Sequence, residues 1–129
     1  MAGRRNIVIE VDLAKYKYVD VSIEEAYKLL EVLRSKFPKA EADILEVKRY
    51  IDNFDEFYSY MKKKFKDYIS LPHRPEDYIR GSALIDKVKL YISANGEKRA
   101  VLVIDRRVSA ESLKELLESL GYAVDIKTS

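Results

Sequence analysis

Cysteine, tryptophan and glutamine are absent from this 129-residue chain, asparagine occurs only at Asn6, Asn53 and Asn95, and His73 is the single histidine. Without cysteine there are no disulfides, thiolate metal sites, iron–sulfur ligands or thiol nucleophiles. One imidazole argues against a His-based metal cage or proton relay. Only four glycines are present. None belongs to a G-x-x-x-x-G-K-[ST], G-x-G-x-x-G or G-x-S-x-G pattern, so phosphate-loop, dinucleotide and hydrolase-elbow chemistry has no support, and no cofactor is expected. The longest uninterrupted apolar run is Ala100–Ile104, far short of the ~20 residues a membrane span needs. Residues 1–6 lead into Ile7-Val8-Ile9-Glu10 without the hydrophobic region of a secretory signal. A cytoplasmic protein that does not act at membranes is the expectation.

Charge is abundant. Charged residues make up 36% of the chain, against about 25% in ordinary globular domains. Yet 24 Lys+Arg against 22 Asp+Glu leave a net charge of only +2. Depletion of thermolabile side chains together with many paired charges is a thermophile signature, and the composition reads as that of an archaeal hyperthermophile. The length matches one domain, and 47% hydrophobic residues supply one core.

Ile7–Asp12 alternates with period two and reads as a strand, followed by Lys15–Val21 across only Leu13 and Ala14, as in a hairpin. Ser22 and Glu25 form a capping-box pattern for a helix running to about Phe37, where Pro38 stops it. Ile44, Val47, Ile51, Phe54, Tyr58, Met61, Phe65 and Tyr68 then repeat at steps of three and four, the spacing of a helical seam. An unbroken helix over 41–69 would span about 42 Å, longer than so small a domain is wide. The segment therefore either projects toward another chain or breaks near Asp52-Asn53 into a helical hairpin. Ser70–Pro75 reads as a loop, Glu76–Ile79 as a helical turn, and Leu84–Ser93 and Lys98–Asp105 as strands joined at Asn95-Gly96. Ser109 caps a last helix that Gly121 ends, and Tyr122–Lys127 closes the chain as a strand. The resulting order, ββ-α-α-ββ-α-β, is α+β: one domain over 1–129, with a mainly antiparallel sheet of four to five strands and three to four helices. A ferredoxin-like variant with a helical insertion is the nearest alternative.

With Asn95-Gly96 as a two-residue type I′ turn, Leu90 faces Val101 and Val88 faces Val103 on the core side. The opposite face would then carry Lys87, Lys89 and Tyr91 beside Ala100, Leu102 and Ile104. Cations mixed with an aromatic on one sheet face suit unstacked bases and their phosphates; helices covering both faces are the bland alternative. Charge is also segregated along the chain. Acid concentrates in 41–60, whereas Lys62, Lys63, Lys66, Arg74, Arg80, Lys87, Lys89, Arg106 and Arg107 follow, with aromatics interleaved. A basic groove with stacking platforms is therefore the leading expectation: non-enzymatic binding of single-stranded DNA or RNA, those cations taking phosphates and Phe57, Tyr60 and Tyr91 taking bases. The competing reading is a protein-interaction module whose interface is the 44–68 seam. A third, remote reading is a metal-dependent nuclease centre built from Asp105 and Asp125-x-Lys127. Tyr16 and Tyr18 read as a cross-strand pair sealing the first hairpin. His73, between two prolines, reads as a solvated loop histidine.

The Lys62–Arg80 basic-aromatic stretch and the Lys87/Lys89/Tyr91 strand, on a cysteine-free, Tyr- and Lys-rich chain, give a layout that resembles the archaeal ThermoDBP-related proteins. Those are small proteins of hyperthermophiles that bind single-stranded DNA or RNA in a basic, aromatic cleft. The resemblance implies single-stranded nucleic acid as partner, no cofactor, and self-association as a homodimer or higher homo-oligomer.

Overall fold

The structure is a computed structural model that describes residues 5–129. Its elements are β1 (Asn6–Val11), β2 (Lys17–Ser22), α1 (Ile23–Lys36), a 3₁₀ turn (Pro38–Ala40), α2 (Glu41–Asp52), α3 (Phe54–Lys63), β3 (Ile69–Ser70), α4 (Pro75–Arg80), β4 (Ile85–Ile92), β5 (Lys98–Ile104), α5 (Ala110–Ser119) and β6 (Ala123–Thr128). The class is α+β, as the element pattern requires. The six strands form one sheet in the order β3-β4-β5-β2-β1-β6. It is mixed, because β6 runs parallel to β1 while every other neighbouring pair is antiparallel. β2 lies between β1 and β5, so the ferredoxin-like arrangement that would omit it is not formed.

Strand alternation puts Ile7, Ile9, Val11, Val19, Val21, Val88, Leu90, Ala100, Leu102 and Ile104 on one buried face, where α1, α2, α3 and α5 pack against the strands. At the start of α1 the Ser22 hydroxyl accepts the Glu25 N–H and the Glu25 carboxylate accepts the Ser22 N–H, the capping box read from sequence. Gly121 follows α5 at φ +96°, the left-handed conformation glycine adopts without steric cost.

Several expectations are corrected. The first hairpin has a longer loop than two residues. The Asp12 carboxylate accepts the N–H groups of Ala14 and Tyr16 and the Tyr18 hydroxyl, which draws Lys15 (φ +71°) and Tyr16 out of the strand. Tyr18 meets Tyr68 edge-on at 6.4 Å instead of pairing with Tyr16.

The register of the second hairpin is shifted by one residue. Ser93 and Glu97 close a three-residue loop, in which Gly96 takes φ +86° and the Ser93 hydroxyl accepts the Glu97 N–H. Val88 therefore faces Leu102, and Leu90 faces Ala100. One extra loop residue turns every β5 side chain over. Ala100, Leu102 and Ile104 are core residues, and the outer face instead sets Lys87, Lys89 and Tyr91 beside Val103, Val101 and Arg99.

The 41–69 segment is not one helix. It breaks at Asn53, whose side-chain amide donates to the Arg49 carbonyl, and its seam residues Ile44, Val47, Ile51, Phe54 and Met61 are buried in the chain's own core. His73 is not solvated. Its side chain is 7% exposed, and Nε2 lies 2.7 Å from Asp43 Oδ1. Among the described residues no helix is long and apolar enough to cross a membrane.

Candidate functional site

The last turn of α3 and the second half of β4 border a groove lined by Tyr58, Phe65 and Tyr91. α3 ends because Phe65 adopts a left-handed conformation, φ +52°. The Phe65 N–H donates to the Lys62 carbonyl and the Lys66 N–H to the Met61 carbonyl, the bonding pattern of a Schellman cap. Glycine is the usual residue there; an L side chain costs about 1 kcal/mol in this conformation. Phe65 is also 96% exposed, so no packing offsets the strain.

The groove has a volume of about 610 Å³ and is lined by Tyr58, Met61, Lys62, Phe65, Lys66, Asp67, Lys89, Leu90 and Tyr91. Lys62 Nζ lies 4.9 Å from the centre of the Tyr58 ring, and Lys89 Nζ lies 5.8 Å from that of Tyr91, within cation–π range. Tyr58 is itself stacked on Phe54 at 5.6 Å, which fixes its ring plane. Tyr91 is anchored through its hydroxyl, which donates to Asp20. Burial and that carboxylate both hold the Tyr91 hydroxyl above its ordinary pKa. On the outer face beyond, Lys87 Nζ sits 4.8 Å from the centre of the Tyr68 ring. Burial, with Asp67, Glu10 and Asp20 nearby, raises the Tyr68 pKa as well.

Some cations of the chain are spent in ion pairs, whereas others, in the groove and also elsewhere (Lys63, Arg74, Arg80 and Arg106 among them), form none among the described residues. Lys48, Lys98, Arg34, Arg49, Arg99 and Arg107 each reach a carboxylate within 3.2 Å. Among the described residues, Lys62, Lys66 and Lys89 form no ion pair, although the Asp67 carboxylate belongs to the same groove. A salt-bridge-laced surface accounts for the first set and not for the second.

The structure thus brings Lys62, Lys66, Lys89 and Tyr91 together, with Lys87 on the adjoining outer face, and separates the other expected site residues from them. Tyr60 and Lys63 are exposed on α3 and do not line the groove. Phe57 packs on Tyr50 at 4.8 Å, with the Arg49 guanidinium 5.1 Å from its ring centre. Arg74 precedes α4, its N–H donating to Asp77, and Arg80 is that helix's last residue. Arg106 and Arg107 follow β5, whose final residue Ile104 faces Ile85 at the other end of β4 from the groove. Arg107 is a strap: its guanidinium donates to Asp105 and to the carbonyls of Tyr78 and Ala83. The Arg106 carbonyl accepts Lys17 Nζ at 2.8 Å.

Tyr58, Met61 and Phe65 line the groove although their spacing assigned them to the helical seam. The legible signal for Phe65 was its place inside the run Lys62-Lys63-Lys64-Phe65-Lys66. Asp105 and Asp125 are not brought together. Asp105 follows β5 and Asp125 lies on β6, with β2 and β1 between those strands, about 14 Å of sheet. No family model, curated protein or solved structure matches the chain.

Proposed function

We propose that the protein binds single-stranded nucleic acid in the α3–β4 groove, without strong sequence preference. Lys62, Lys66 and Lys89 take successive phosphates, Phe65, Tyr58 and Tyr91 receive unstacked bases, and Lys87 beside Tyr68 extends the path across the outer face. The observation that carries this reading is the group of cations without carboxylate partners set against three aromatic rings in one groove, of which Phe65 is fully open to solvent and Tyr58 and Tyr91 are half-buried. Rings of this kind need bases with a free face, which single strands offer and a stacked duplex does not. The reading coincides with what the resemblance to the ThermoDBP-related proteins implies. The seam-interface alternative is less well supported, because the seam is largely spent inside the chain's own core.

Fluorescence anisotropy with labelled oligo-dT, oligo-U and duplex over a salt series tests it. Single strands should bind more tightly than duplex, and log Kobs should fall with log salt at a slope of about −2, corresponding to about three phosphate contacts. Equal affinity for duplex, or salt-independent binding, overturns the proposal. Phe65→Gly separates function from folding. Relieving the left-handed strain should leave stability unchanged or raise it by about 1 kcal/mol. Losing one stacking ring should weaken oligo-dT binding by about tenfold.

A further inference from the structure

Opposite the face on which α1, α2, α3 and α5 pack, the sheet carries a cavity of about 380 Å³, floored by Val8 and Val101 and walled by Tyr18 and Tyr68. Strand register sets out its plan. Asp20 of β2 pairs with Val101 of β5, and one residue beyond the Ile9–Val19 pair it stands beside Val8 of β1. Glu10 and Tyr18 pair in the next row of the same face. Val8 and Glu10 are exposed, and Tyr18, Tyr68 and Val101 are half-buried, so the cavity is open to a ligand. The two rings meet edge-on at 6.4 Å. The polar groups of the rim differ in how far they are spent. Arg99 donates to Asp20 and Glu97, and the Tyr91 hydroxyl donates to Asp20. The Glu10 carboxylate has no ion-pair partner among the described residues, although Lys127 is its neighbour on β6. Glu10 lies near enough to the Tyr68 hydroxyl to raise its pKa, after burial and Asp67. The cavity also adjoins the α3–β4 groove. Lys89 and Tyr91 line the groove, and their partners on β5, Val101 and Arg99, line the cavity, one strand spacing of about 4.8 Å away.

We infer that this outer-face cavity takes an unstacked guanine base, supplied by the strand in the groove and read by the Glu10 carboxylate. The inference rests on the nucleic-acid reading and adds a preference at one position beside a groove that has no strong one. The volume falls in the range of small-ligand sites, and an apolar floor with aromatic walls and few polar groups is their usual lining. The free carboxylate chooses among the bases. The Watson–Crick edge of guanine sets the N1–H and the 2-amino group side by side, and together they meet both oxygens of one carboxylate. Adenine and cytosine place a lone pair beside their amino group, and thymine and uracil hold one N–H between two carbonyls. Each of these sets an acceptor against the carboxylate, which is then left partly unpaired. The row that carries Glu10 runs from Lys127 on β6 through Tyr18 and Val103 to Lys87 on β4. Phosphates on either side of the inserted base therefore meet a cation at each end of that row.

Fluorescence anisotropy with labelled strands of about 12 nucleotides tests it: oligo-dT, alternating dT and dG, and alternating dT and deoxyinosine, whose base keeps N1–H but lacks the 2-amino group. The guanine strand should bind about tenfold more tightly than oligo-dT, and the inosine strand should lose most of that gain. Glu10→Gln, at an exposed position, exchanges one acceptor oxygen for an amide donor. It should bring the guanine strand down to the affinity of oligo-dT while oligo-dT itself binds as before. In ¹⁵N–¹H spectra, guanosine monophosphate at about 1 mM should shift the Val8, Tyr18 and Val101 amides, and adenosine monophosphate should leave them in place. Equal affinity for the three strands, or a guanine preference that survives Glu10→Gln, overturns the inference; if oligo-dT still binds, the groove reading stands without it. Guanosine monophosphate bound at these amides by a protein that ignores every strand would sink the groove reading, keep the guanine site and assign its base to a free nucleotide.

Discussion

Tyrosine hydroxyls are where single residues of this chain couple most directly to pH. Burial, followed by a hydrogen bond donated to Asp12, pushes the Tyr18 pKa from its ordinary 10.0 up to about 12. Tyr27 reaches about 12 in the same way, through burial and its bond to Asp52. Burial and the Glu46 carboxylate raise Tyr50 as well. Each of these groups favours the neutral form in the folded chain. The unfolded chain loses the same protons near pH 10, so it binds fewer protons than the folded one between pH 10 and about 12. Their contribution to stability is fully present below pH 10 and declines as pH rises through that window. Urea midpoints should be level from pH 8 to 9 and fall progressively above pH 10, and tyrosinate absorbance should develop late and together with unfolding. A midpoint unchanged at pH 11 would refute the assignment. None of this was legible residue by residue: ten tyrosines are plain in the sequence, but which of them donate to a carboxylate depends on pairs such as Tyr27 and Asp52.

At the scale of elements, local chemistry was readable where the partners are a few residues apart and misread where they are not. Ser22 and Glu25 cap α1 as their spacing requires, because both partners lie within one turn. Asn95-Gly96 is a turn, but the bonds of Ser93 to Glu97 add a residue to the loop and reverse the faces of β5. Asp43, an unremarked acid in an acidic stretch, proves to tie elements together. Its Oδ2 accepts the Leu84 and Ile85 N–H groups at 2.7 and 2.9 Å, and Oδ1 meets His73. The Tyr78 hydroxyl lies 3.4 Å from the other ring nitrogen of that histidine. One carboxylate thus joins α2 to the start of β4 and to the loop before α4. Asp43→Asn keeps the volume but presents an amide in place of one acceptor oxygen. It should cost about 2–3 kcal/mol, since a buried donor loses its acceptor. Chemical denaturation measures this, and a loss below ~0.5 kcal/mol would show that the carboxylate's bonds do not contribute as their geometry indicates.

Over the whole molecule, the two ends of the chain meet. β6 pairs in parallel with β1 along its full length, from Asn6 opposite Ala123 to Val11 opposite Thr128, and Val124 is buried in the core. A sheet closed this way depends on contacts between the most distant parts of the chain, which form only after long loops have closed. Deleting 122–129 removes the strand that covers one side of β1 and uncovers Ile7 and Ile9. The truncated chain should lose its cooperative thermal transition and its dispersed amide spectrum; retention of both would show that β6 is dispensable.

What the sequence determined by itself is whatever depends on neighbours within about a turn of helix or a strand's alternation: the α+β class, most element positions, the helix stops, the absence of thiol chemistry and the basic run that includes Phe65. Tertiary structure alone decided which cations are left unpaired. Lys62, Lys66 and Lys89 gather beside Tyr58, Phe65 and Tyr91 because α3 lies over β4, whereas Arg107, equally basic in sequence, is consumed by Asp105 and two carbonyls. That outcome turns on distances of a few ångströms between residues far apart in the chain. Composition and periodicity do not encode such distances, because they record how often and how regularly residues occur, not which of them meet once a core has formed.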